Sequence, residues 1–158
     1  MPLHVALVEP QIPPNTGNIA RLCAATGTSL HLVEPLGFSL DAADLKRAGL
    51  DYWDAVDLWV HHDWPAFREA VSRERCLYFS AQGVRSFWEA PYRDRAVLVF
   101  GNERDGLPDR IREKHADRVY RIPMRDTVRS LNLATAVGIV LYEALRQQGW
   151  GDGPLPHR

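Results

Sequence analysis

Arginines recur every four residues at 121, 125 and 129 around a polar loop. That spacing could form a row of contacts to phosphate, which the guanidinium fork matches well, or it could be solvated charge. Upstream, Gly101-Asn-Glu-Arg-Asp-Gly106 leaves an unbroken apolar run and precedes a helical pattern, which suits a backbone lying close to a ligand. It has neither the glycine spacing of a dinucleotide fingerprint nor the Gly-Lys-Ser/Thr ending of a P-loop. Within it, Glu103 offers a carboxylate either to a cationic ligand or to a helix N-terminus. Arg21 is a charge inside an otherwise apolar helical pattern, close to the loop that ends the first strand. It faces either solvent or a site at the sheet's edge. His61-His62-Asp63 has no partner at helical spacing to complete a metal site and reads as a solvated strand end. Cys23 and Cys76 lie in apolar patterns and read as buried, reduced thiols.

These groups need elements to hold them. The pattern predicts strands over residues 3–8, 30–33, 55–60, 76–80, 96–100 and 119–122, the last stopped by Pro123. Between them it predicts helices over 17–26, 41–47, 64–73 and from Pro108 to about 113, with 81–94 as loop. Asn15 or Thr16 would cap the first helix and Gly27 would close it in the left-handed region. A last helix opens at Ser130 or Asn132. From 131 to 145 it has almost no polar face, which predicts burial on all sides. One sheet covers only one side of such a helix, so a second subunit is expected on the other. Alternating apolar strands and helices predict an α/β fold with a mostly parallel sheet and helices on both faces. Ligands in such folds bind where strand ends meet helix N-termini.

At 158 residues the chain suits one domain, expected over 1–148, with a fraying tail at 149–158. A net charge of −1 argues against a globally basic nucleic-acid binder and leaves room for local basic patches. No run has the length of a membrane span and no secretory signal is visible, so a cytoplasmic protein is expected.

Three stretches carry a resemblance. They are Glu9-Pro-Gln-Ile-Pro-Pro-Asn-Thr-Gly-Asn-Ile-Ala-Arg-Leu-Cys-Ala-Ala-Thr-Gly27, Phe100-Gly-Asn-Glu-Arg-Asp-Gly-Leu-Pro108, and Arg121-Ile-Pro-Met124 continuing to Arg129-Ser-Leu-Asn-Leu133. With His31-Leu-Val-Glu-Pro-Leu-Gly-Phe38 and Arg47-Ala-Gly-Leu-Asp-Tyr52, the chain resembles the SPOUT-class RNA ribose 2′-O-methyltransferases. Its similarity is greatest to the small tRNA (cytidine/uridine-34-2′-O)-methyltransferase branch. The resemblance implies a C-terminal deep trefoil knot that binds S-adenosylmethionine, an obligate homodimer, and no metal. It implies methylation of the wobble ribose in tRNA, with leucine tRNAs as expected substrates. By position it implies cofactor contacts from Phe79, Gly101, Ile122 and Ser130, with Glu103, Met124 and Leu131 nearby. The implied catalytic set is Arg21, Glu103, Ser130 and Asn132, and the implied RNA surface is Arg21, Lys46, Arg47, Arg104, Arg125 and Arg129. Asn102 stands where the family's glycine loop has proline. The rivals are a ribosomal-RNA methyltransferase of the same class, which would carry a further RNA-binding domain, and a non-catalytic RNA-binding dimer.

Overall fold

In chain order the strands are β1 (His4–Val8), β2 (Ser29–Val33), β3 (Leu58–His61), β4 (Cys76–Phe79), β5 (Arg85–Ser86), β6 (Val97–Phe100) and β7 (Val119–Arg121). The helices are α1 (Pro13–Thr26), α2 (Ala42–Arg47), α3 (Trp64–Ala70), α4 (Asp109–Lys114) and α5 (Leu133–Gln147). This computed structural model describes residues 2–47 and 53–155. Of the stretch Arg47 to Tyr52, all but Arg47 lies outside the described residues.

All seven strands are parallel, in the order β3-β2-β1-β6-β4-β7-β5. The central strands are apolar on both faces because both are covered. Val5 and Leu7 face α1 and α5, in a core with Ile19, Cys23, Val137 and Leu141. Ala6 and Val8 face α3 and α4, in a second core with Phe67 and Ile111. No helix among the described residues is long and apolar enough to cross a membrane.

Several boundaries differ from the sequence reading. The third strand begins at Leu58 because Trp53–Ala55 form a 3-10 turn. Asp57 then anchors the strand's start through Ser29 Oγ at 2.8 Å and Trp59 Nε1 at 3.0 Å. The expected loop at 81–94 contains β5, which pairs with β7 over only two residues, too few to show a period.

Helix α1 starts at Pro13, four residues earlier than position 17, with Pro13 and Pro14 in its first turn and Ile12 at the N-cap. Asn15 and Thr16 are therefore buried inside the helix and do not cap it. Gly27 does close it, at φ 68°.

Helix α5 also differs. Val137, Val140, Leu141, Ala144 and Leu145 are buried, but Ile139 and Tyr142 are 38% and 48% exposed, so one chain alone does not bury it all round. The chain beyond it folds back, with the Trp150 amide bonded to the Leu145 carbonyl and its ring edge-on to Tyr142.

The solvated strand end expected at 61–63 holds for His62 and fails for His61. His61 is buried, and its Nε2 lies 2.9 Å from His31 Nδ1, while His31 Nε2 lies 2.8 Å from His4 Nδ1. Three neighbouring strands thus carry a row of imidazoles, stacked or edge-on with Trp59 and Phe67. Burial, with His4 and His61 as neighbours, pushes His31 down to about 3. Asp63 accepts from the Ala66 amide at 2.8 Å and caps α3.

Candidate active site

A cleft of about 560 Å³ opens at the carboxyl ends of β4, β6 and β7, below the start of α5. That volume is in the range of small-molecule and cofactor sites. Its floor is aromatic. Phe79 and Phe100 stack at 5.1 Å between centroids, with Tyr120 at 6.1 Å from Phe79 on the next strand.

One wall is the glycine loop, closed by reciprocal backbone bonds between Asn102 and Gly106 at 3.3 and 3.1 Å. A Cβ on Gly101 would lie 1.9 Å from the Gly106 carbonyl carbon, and Gly106 itself has φ 67°. Both positions therefore require glycine. Asn102 fills the place of the family's proline with an Asx turn, its Oδ1 accepting from the amides of Arg104 and Asp105 at 3.0 and 2.8 Å.

Glu103 reaches from this loop to the start of α1. Its carboxylate accepts from the Gln11 amide at 2.9 Å, the Ile12 amide at 2.8 Å and Asn15 Nδ2 at 3.3 Å. The Gln11 and Ile12 amides, at and just before the N-cap, find their acceptor here, and the negative charge suits the positive end of the helix. Asn15 Oδ1 in turn accepts from Asn132 Nδ2 at 3.1 Å. Asn132 caps α5 by accepting from the Thr135 amide at 3.1 Å. One hydrogen-bonded line thus joins the glycine loop, α1 and α5. Neither carboxylate oxygen of Glu103 is left without a partner, so its geometry is that of a positioning group.

Of the residues singled out from sequence, Phe79, Gly101, Glu103, Ile122, Met124, Ser130, Leu131 and Asn132 all line this cleft. Arg104 and Arg129 line it too. Arg21 is exposed on α1 and does not line it. Lys46, Arg47 and Arg125 are also exposed and outside the cleft, and Arg47 pairs with Asp44. The sequence reading missed Asn15 as a site residue, together with Tyr120, Leu133 and Ala136. In the sequence Asn15 is one of two candidate caps, with Thr16, in a proline-rich turn, and no local pattern marks its links to Glu103 and Asn132.

The profile of the SpoU rRNA Methylase family matches residues 2–142. The chain belongs to that family. A relative from Escherichia coli (strain K12), named tRNA (cytidine(34)-2'-O)-methyltransferase, is 46% identical to this SpoU methylase over 97% of this chain and 98% of its own. A solved structure concerned with the 2-OH methylation of C/U34 on tRNA superposes with a TM-score of 0.86. It is 50% identical and covers 92% of this chain and 95% of its own. An AdoMet-bound rRNA methyltransferase from Sinorhizobium meliloti gives a TM-score of 0.80 at 28% identity. It covers 92% of this chain but 56% of its own.

Proposed function

We infer that the protein is a tRNA (cytidine/uridine-34-2′-O)-methyltransferase that uses S-adenosylmethionine. The observation that carries this reading is identity near half along almost the full length of both chains, joined to a cleft lined by the residues expected to hold the cofactor. A ribosomal-RNA target is the weaker reading, since the rRNA enzyme it would follow is matched over only 56% of its length.

The cleft fits the donor on its own chemistry. An aromatic floor suits a base and a cation, and the walls approach closely only because Gly101 has no Cβ. Phe79, Gly101, Ile122, Met124, Ser130 and Leu131 would hold it, largely through backbone groups. When bound, the sulfonium would supply an activated methyl group to the ribose hydroxyl oxygen, whose proton would pass to solvent. The protein's task is then alignment and management of the hydroxyl proton. A guanidinium fork donates hydrogen bonds and accepts none, so the role of Arg21 is to hold the adjacent phosphate and stabilise charge developing on the oxygen, rather than to act as base. Ser130 and Asn132 orient the nucleotide at the start of α5. Glu103 and Asn15 keep α1, and with it Arg21, in register with the donor cleft.

The working unit is a homodimer with the outer face of α5 at its interface, a reading supported by Ile139 and Tyr142 standing exposed there. The deep trefoil knot and a cytoplasmic location belong to the same proposal, as do leucine tRNAs as substrates. RNA would be gripped by Arg21, Lys46, Arg104, Arg125 and Arg129. The decisive experiment is transfer of labelled methyl to total tRNA, followed by mapping of the modified nucleotide. Label at the ribose of position 34 is expected, and label at another position, or none, would overturn the reading.

A further inference from the structure

A second cleft, of about 470 Å³, opens at the opposite edge of the sheet, where β4, β6 and β7 begin. Arg75, Arg93 and Arg118 line it, with Glu74 and Asp94 on the same wall. Neither carboxylate comes within ion-pair distance of a guanidinium, and Arg73, Arg75, Arg93, Arg95 and Arg118 make no ion pair among the described residues. Arg75 donates from Nε to the Arg95 carbonyl at 2.8 Å, but its Nη2 is buried with no hydrogen-bond partner among the described residues. A buried guanidinium nitrogen left unpaired is costly and marks a place where an acceptor is missing. Arg118 donates to the Glu74 carbonyl at 3.0 Å and so braces the turn that presents Arg73 and Arg75.

The charges press on one another as well. The like charge of Arg95 adds to burial in lowering Arg75. Arg95 is held at φ 62°, a conformation that ordinary side chains rarely adopt. A glycine or asparagine would occupy that turn at less cost, yet the chain places a cation there. In a protein of net charge −1, five arginines gathered beside two carboxylates leave a local excess of positive charge.

We propose that this arginine-lined edge is a second RNA-binding surface, taking backbone phosphates of the substrate outside the reacting loop. Planar guanidinium forks match phosphate oxygens in pairs. Arg73, Arg93 and Arg95 are exposed on the two connections that lead into β4 and β6, which fits successive phosphates of a polymer better than one small anion. The strands between the two clefts are about 10–13 Å long, so a structured RNA can touch both edges of one sheet. The inference rests on the reading of the protein as a tRNA methyltransferase.

The test uses the full chain, an unmodified tRNA transcript, and the double variant Arg73→Gln/Arg93→Gln. Both side chains are exposed and make no hydrogen bond among the described residues, so the fold should tolerate the change. Binding is measured by titration across a salt series, which needs no catalysis. A wild type that binds the transcript without methylating it would count against the proposed activity and leave this surface testable. The expected result is about tenfold weaker binding, with the slope of log K against log salt reduced by about 1 to 2. In turnover the loss should fall on KM for the tRNA, with S-adenosylmethionine uptake at the wild-type level. Arg73→Lys/Arg93→Lys should retain most of the slope. An unchanged affinity and slope in the glutamine variant overturns the proposal. So does thermal stabilisation by inorganic phosphate that the variant loses while its RNA slope stays intact, which would assign the cleft to a small anion.

Discussion

Glu103 makes three hydrogen bonds to the start of α1 with two oxygens, and that geometry sets what its replacement should do. Glu103→Gln keeps one acceptor and loses the charge facing the helix terminus. A loss of about 1–2 kcal/mol in unfolding free energy is expected, since hydrogen bonds to charged groups and helix caps each contribute on that order. Methyl transfer should fall further than stability does, because α1 carries Arg21. Urea titration beside a single-turnover assay separates the two, and activity at the wild-type level would show that the link does not position Arg21. Arg21→Lys keeps the charge and loses the fork. About a hundredfold lower transfer is expected with cofactor affinity intact, and activity near wild type would remove Arg21 from the chemistry. At this scale residue type was informative and partnership was not. Glu103 could be read as a charge for a helix N-terminus, but the N-cap it serves lies 91 residues earlier in the chain.

Among the elements, the glycine loop leaves the least freedom. Gly101→Ala would force a Cβ to within 1.9 Å of the Gly106 carbonyl carbon, and backbone must move to accommodate it. Cofactor affinity should drop at least tenfold, checked by isothermal titration; unchanged affinity would show that this wall does not shape the donor site. The histidine row across β1, β2 and β3 gives a pH signature. His31 is held near 3 in the folded chain against about 6.5 unfolded, so the unfolded state binds the extra proton between those values. The contribution of neutral His31 is whole above about pH 6.5 and is lost as pH falls toward 3. Burial lowers His4 and His61 as well, which steepens the effect. Melting temperature should fall as pH drops from 7 to 5, and His31→Gln should flatten that fall; a parallel profile in the variant would refute it. Element types were legible because central strands are continuous apolar runs and helices carry caps and periods. The start of α1, the two-residue β5 and the late start of β3 were hidden, since each is decided by contacts from elsewhere in the chain.

At the scale of the molecule, α5 leaves two large hydrophobic side chains, Ile139 and Tyr142, partly exposed to solvent. A second copy covering that face would bury it, and light scattering should give twice the chain mass. Ile139→Glu with Tyr142→Asp is expected to yield a folded monomer that has lost most methyl transfer; a wild-type monomer with full activity would refute the dimer. The sequence by itself determined the α/β class, the apolar strands and the glycine loop. These follow from local periodicity and from the steric needs of single positions. Only the tertiary structure decided that Glu103, Asn15 and Asn132 form one line, that His61 is buried in a row of imidazoles, and that arginines from three separate connections gather at the sheet's opposite edge. Such groupings depend on strand order, and in a parallel sheet strand order is fixed by long-range packing that no local pattern records.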